Sequence, residues 1–238
     1  MAKIQLTDVF VEMADTLVVG FDLIDFLHLL TERCVQLLGI SATGLLLTDQ
    51  RGALRFTAAS TEQTRLLELF QVQVDEGPCL DCFRSGQPVS VPDLFGAVDR
   101  WPQFTPAAIE TGYATVAALP MRLRNEIIGA LNLFDARPSS ITPDKQRLGQ
   151  ALADIATIGI LQERAIRLRD TLTQQLETAL HSRIIIEQAK GVIAEREGLD
   201  PGQAFERLRN VSRKHNRRLS DLARMIVDGS EQLPPALT

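Results

Sequence analysis

The sequence predicts an α+β protein: an antiparallel-sheet domain, then a long coiled-coil helix, then a three-helix module at the C-terminal end. Three observations predict it. Short apolar runs bounded by Gly, Pro, Asn and Asp alternate with helical patterns as far as Phe134. Between Pro143 and Pro201 there is no proline, and apolar residues recur at steps of three and four. Beyond Gly198, capping residues divide the chain at short intervals. The expected organisation is 1–160 for the sheet domain, 161–180 for a coiled-coil linker helix, 181–229 for the helical module and 230–238 for a disordered tail.

In chain order, residues 17–38 read as an amphipathic helix with Phe21, Ile24, Leu27, Thr31, Val35 and Leu38 on one face, ended by Gly39. Ala42–Thr48 and Leu54–Ala59 flank Asp49-Gln-Arg-Gly52 as a hairpin. A helix from Thr61 to Val74 places Leu66, Leu67, Phe70 and Val74 as its apolar positions. Glu76-Gly-Pro-Cys79 is a turn that opens a short helix ending near Ser85, and a strand follows between Pro88 and Pro92. Trp101-Pro-Gln-Phe104 reads as a loop, with Pro106 in the first turn of the next helix. Val116–Leu123 and Ile127–Phe134 make a second hairpin across Arg124-Asn-Glu126.

In the long proline-free segment, Ile158, Leu161, Ala165, Leu168 and Leu172 form a seam that continues through Leu176, Ala179 or Leu180 and Ile184. A helix of this length outside a globular domain needs a partner, and a parallel homodimer is the simplest. Gly198 then stands at a helix C-cap, and Asp200-Pro-Gly-Gln203 is a capping-box arrangement with proline at the first helical position. Asn216 closes the second helix in a left-handed turn, Ser220 caps the third, and Gly229 ends it.

The net charge of −5 is unevenly divided: residues 162–228 carry 13 Lys and Arg against 10 Asp and Glu, and the rest of the chain is acidic. Arg213, Lys214, Arg217, Arg218 and Arg224 stand close together near only Asp221. An acidic body with a basic end is the footprint of contact with a polyanion, although a solvated helix face has the same composition. Guanidinium groups suit phosphates and stacked bases, and an Asn amide can pair with a base edge, so Arg209, Arg213 and Asn216 on one flank are candidate contacts. Lys190 lies between Ala189 and Gly191, whose minimal side chains permit close approach of a nucleobase or another backbone. The start, Met1 to Asp8, lacks the basic and apolar stretches of a signal peptide, and charges break the apolar region 17–40. Three cysteines fit a reducing cytoplasm, with no membrane partner.

Ala189-Lys-Gly191, Ala204-Phe205, Leu208-Arg209, Ser212, Asn216, Leu219 and Ala223 resemble the ANTAR module over about 180–229. That resemblance implies a three-helix output domain of transcription antitermination regulators, which binds paired hexaloop hairpins in nascent RNA, usually as a dimer. The RNA contacts it implies are Ala189, Lys190, Gly191, Arg209, Arg213, Asn216 and Arg218. Upstream, Glu76-Gly-Pro-Cys79, Val89-Ser-Val-Pro-Asp-Leu94, Arg100-Trp-Pro-Gln-Phe104 and Gly129-Ala-Leu-Asn-Leu133 resemble a GAF domain over about 17–161. This implies a signal-sensing fold; its small-molecule ligand is unknown, and the cyclic-nucleotide signature of the family is absent.

The function expected is thus a signal-responsive, RNA-binding antitermination regulator rather than an enzyme. Duplex DNA is an alternative polyanion for the same basic helices. A third reading uses Cys79 and Cys82 as a sulfoxide-reducing pair, although a lone Cys pair is more often packing. Cys34, His28, His181 and His215 are too scattered to complete a zinc site with that pair, so no metal is expected. Trp101 suits a lid or core position, and His28 a structural one on its helix.

Overall fold

The computed structural model describes residues 6–16, 22–49 and 51–233. The chain separates into two compact units, Met1–Arg164 and Ala165–Thr238. In the first, α1 (Leu6–Thr16) and α2 (Leu23–Leu38) precede β1 (Ala42–Thr48) and β2 (Leu54–Ala59). Then come α3 (Glu62–Val74), α4 (Pro78–Ser85), β3 (Val89–Val91), a 3₁₀ turn at Leu94–Ala97, α5 (Phe104–Glu110), β4 (Thr115–Leu123) and β5 (Glu126–Asp135). The five strands form one antiparallel sheet in the order β2-β1-β5-β4-β3. Helix α6 (Pro143–Glu197) starts in this unit and continues into the second, where α7 (Pro201–Lys214) and α8 (Leu219–Val227) follow.

The pleat of the central strands sorts side chains to two cores. Leu45 and Leu47 of β1 and Leu131 and Leu133 of β5 face one core, which α1, α2 and the first turns of α6 complete with Val9, Leu30, Leu152 and Ile160. Leu46, Ala130 and Phe134 face the other, with Leu67, Cys79, Trp101 and Phe104. Fully burying one such leucine contributes roughly 1.5–3 kcal/mol, so both faces of β1 and β5 stabilise the sheet. Gly149 of α6 lies so near the sheet that a methyl there would come within 2.8 Å of Leu119.

Several element expectations shift. The Asp22 side chain accepts from the backbone N–H groups of Ile24 and Asp25, so α2 begins at Leu23. The expected residues 17–21 of that helix lie outside the described residues. Its buried face is Phe26, Leu27, Leu30, Thr31, Cys34 and Leu38, whereas Ile24 is 63% exposed. On α3 the buried set is Thr64, Leu67, Glu68 and Gln71, and Leu66 faces outward. Ser220 does not cap α8; Arg218 holds the cap position with extended backbone and Ser220 sits within the helix. Of the tail, residues 234–238 lie outside the described residues, while Leu233 packs partly on the core of the module.

Candidate functional site

In the second unit α6 ends at Gly198, whose φ of 65° is the left-handed conformation that costs glycine least. Asp200 and Gln203 form the reciprocal capping box that starts α7 behind Pro201. The core consists of Ala189, Ile193, Ala204, Leu208, Val211, Leu222, Ala223 and Ile226, from all three helices. Ser212 closes the turn between α7 and α8 by donating its hydroxyl to the Arg217 carbonyl at 2.7 Å, and Arg217 N–H returns to the Ser212 carbonyl at 3.0 Å. Asn216 sits between them at φ 51°, a conformation that Asn tolerates better than other side chains.

This scaffold brings some of the sequence-marked residues to the surface and removes one. Ala189 is wholly buried in the helical core, so its methyl serves packing and is not available to a ligand. Lys190 is held on two sides: its Nζ lies 2.8 Å from Glu187 and 5.7 Å from the Phe205 ring centroid. Gly191 is exposed, and a methyl there would meet nothing of this chain within 4 Å. Arg209, one helical turn beyond Phe205, pairs with Glu206 at 3.3 Å, and Arg213 follows after a further turn. Arg213, Asn216 and Arg218 are exposed around the α7–α8 turn. Among the described residues Arg213, Lys214 and Arg218 have no carboxylate partner, whereas Arg217 pairs with Glu231. These cations around the α7–α8 turn can approach phosphates without first breaking an ion pair to a described carboxylate.

The first unit holds a polar cluster that the sequence reading passed over. Glu68 of α3 is fully buried against the sheet, and Asn132 of β5 donates Nδ2 to both of its carboxylate oxygens at 2.7 and 2.9 Å. Gln71 Nε2 also donates to Glu68, while Gln71 Oε1 accepts the Cys79 N–H at 3.2 Å at the start of α4. One turn earlier, Thr64 and the Tyr113 hydroxyl share a hydrogen bond of 2.7 Å, and Tyr113 stacks on Phe134. Burial pushes the Glu68 carboxyl up to about 7 even though the Asn132 and Gln71 bonds favour its charged form. Asn132 Oδ1 is buried without a hydrogen-bond partner. The available signals were an Asn inside the apolar run of β5 and polar residues at helical spacing among those of α3.

Cys79 and Cys82 are both free and buried. Burial raises the Cys79 thiol well above the ordinary range, with the Glu68 and Cys82 charges adding to the effect, and burial takes Cys82 to about 12 against a hydrogen bond from the Val89 backbone. A thiol nucleophile needs the thiolate and access, and these two residues have neither. Trp101 takes the core position at 2% exposure, its Nε1 donating to Asp81 at 3.2 Å beneath the Arg100 guanidinium. His28 is exposed on α2. Among the described residues no group of three or more His, Cys, Asp or Glu is arranged for a metal, and no helix is long and apolar enough to cross a membrane.

Comparison with known proteins covers both units. The GAF domain family matches residues 22–161 and the ANTAR domain family matches residues 174–227. Among solved structures, the chain is similar to the GAF domain of a Coxiella burnetii phosphoenolpyruvate-protein phosphotransferase at 18% identity and a TM-score of 0.51, covering 68% of this chain and 96% of that one. It is similar at 13% identity and 0.51 to the GAF domain of the corresponding Acinetobacter protein, covering 67% and 95%. The free methionine-R-sulfoxide reductase of Neisseria meningitidis, solved with its substrate, is similar at 16% and 0.51, covering 67% and 90%. Likeness at these identities concerns the fold alone. No curated protein matches the chain.

Proposed function

This chain belongs to the GAF–ANTAR regulators, and from that premise we propose that it is a signal-responsive antitermination regulator whose C-terminal module binds hairpins in nascent RNA. The observation that carries the reading is the set of exposed cations Arg213, Lys214 and Arg218, without a carboxylate partner among the described residues, around the left-handed turn at Asn216. Counterion release from the RNA backbone supplies most of the affinity there, and Asn216 adds a donor and an acceptor for a base edge. Lys190, restrained by Glu187 and Phe205, is a second contact, and the open space over Gly191 lets a base or a backbone approach it. Arg209 lies between the two groups on α7.

The active form is a homodimer. Leu168, Leu172, Leu176, Leu180 and Ile184 are 48–71% exposed along α6, and a second copy of this helix is the simplest cover for that stripe. The protein works in the cytoplasm, where the sensor domain responds to its signal or small-molecule ligand and alters the pairing of α6. In this reading 1–160 is the sensor, 161–180 the coiled-coil linker, 181–229 the RNA-binding module and 230–238 a tail. The domain content is that of a regulator and not of an enzyme, and the buried Cys79 and Cys82 thiols speak for packing.

Titration of the dimer with a fluorescent hexaloop hairpin tests the surface. Arg213→Ala and Arg218→Ala should each weaken binding by roughly 1–3 kcal/mol and lower the salt slope by about one. Lys190→Ala should weaken binding as well. Unchanged affinity in all three variants at fixed salt would overturn the assignment, and preference of the wild type for duplex DNA over the hairpin would turn the reading to a DNA-binding regulator.

A further inference from the structure

We propose that Glu68, Gln71 and Asn132 form a proton-operated latch in the sensor domain: the neutral carboxyl holds α3 and α4 to the sheet, and its ionisation loosens them. This goes beyond the RNA reading and does not depend on what the C-terminal module binds.

The cluster is packed closely against backbone. A methyl on Gly44 of β1 would lie 2.0 Å from Glu68 Oε1, and one on Gly77 would lie 2.5 Å from Gln71 Oε1, so both side chains lie directly against backbone. The groups that face Glu68 are neutral. From α3 it is Gln71, from β5 Asn132, from β1 the Gly44 backbone and from α4 the Cys79 thiol, while Thr64, one turn earlier on α3, bonds to Tyr113. No cation stands among them, and a buried carboxylate without one is costly even when amides donate to it.

The hydrogen-bond pattern accommodates the proton. With Glu68 ionised, both amides donate to it and Asn132 Oδ1 has no partner. A proton on the carboxyl can be donated to Oδ1 after a half-turn of the Asn132 amide, which leaves Nδ2 in the position that Oδ1 held. Gln71 links this event to the next helix, because the same side chain that donates to Glu68 accepts the Cys79 N–H at the first turn of α4. Loss of the proton therefore acts on α3, its contact with β5 and the start of α4 together.

Hydrogen exchange of the full-length protein, followed from about pH 5.5 to pH 8.5 and corrected for the intrinsic rate, tests the latch. Protection over residues 62–85 should fall about thirtyfold from pH 5.5 to pH 8.5, most of it below pH 7, and the fall should vanish in Glu68→Gln, whose amide stays neutral. Infrared spectra of the wild type with carbon-13-labelled glutamate should show a protonated carboxyl band at about pH 5.5 that is lost by about pH 8.5. The spectra and the wild-type exchange decide the matter even if the variant does not fold. Absence of that band at the lower pH, or pH-independent protection of α3 and α4 in the wild type, would overturn the proposal.

Discussion

Replacing Glu68 by Gln changes one atom in a site already built around amide groups, and its effect on stability can be worked out in sign and size. The carboxyl titrates near 7 in the folded chain against an ordinary value of 4.5, so across that window the native state keeps a proton that the unfolded chain has released. The native state binds more protons there, and stability falls as pH rises from about 4.5 to about 7. A difference of 2.5 between those values corresponds to about 3 kcal/mol at 1.36 kcal/mol per unit. The variant has no such slope. Subtracting the two proteins cancels the other titrating groups, so the stability of Glu68→Gln relative to wild type should rise by about 3 kcal/mol between pH 4 and pH 8. Trp101, the only tryptophan and 2% exposed, reports unfolding of this domain by fluorescence in urea. A difference that stays constant across this range, or that falls with rising pH, would refute the reasoning.

Gly44→Ala drives a methyl into the Glu68 carboxylate and should destabilise the sensor by about 1–3 kcal/mol or more in the same urea titration. In the module, Asp200→Ala removes the acceptor for Gly202 and Gln203 N–H and should cost about 1 kcal/mol, read from the midpoint of helix loss by circular dichroism. Leu172→Lys with Leu176→Lys puts charge on the exposed stripe of α6 and should give monomers in sedimentation while leaving the Trp101 fluorescence of the sensor unchanged. The RNA variants complete the set: Arg213→Ala is the most informative, since no ion pair is broken with it.

The sequence by itself determined the elements and their order. The apolar runs Ala42–Thr48 and Ile127–Phe134 marked strands, and the pleat sends their alternate residues into two cores. Caps at Gly198, Asp200 and Asn216 were equally legible, since each depends on local backbone conformation and on residues a few positions away. The Ser220 cap failed because Arg218 takes the extended conformation at that helix start, and no side-chain bond is needed to hold it. Only the tertiary structure separated Ala189 from Lys190. Both lie in the same short motif, yet the packing of α7 and α8 buries the first and leaves the second against Phe205 and Glu187. Likewise the sequence did not connect Glu68 of α3 with Asn132 of β5, because 64 residues separate them. What the fold decided was that these two meet fully buried between α3 and the sheet. Charge and periodicity are local properties of a chain, whereas desolvation belongs to whatever the chain packs around.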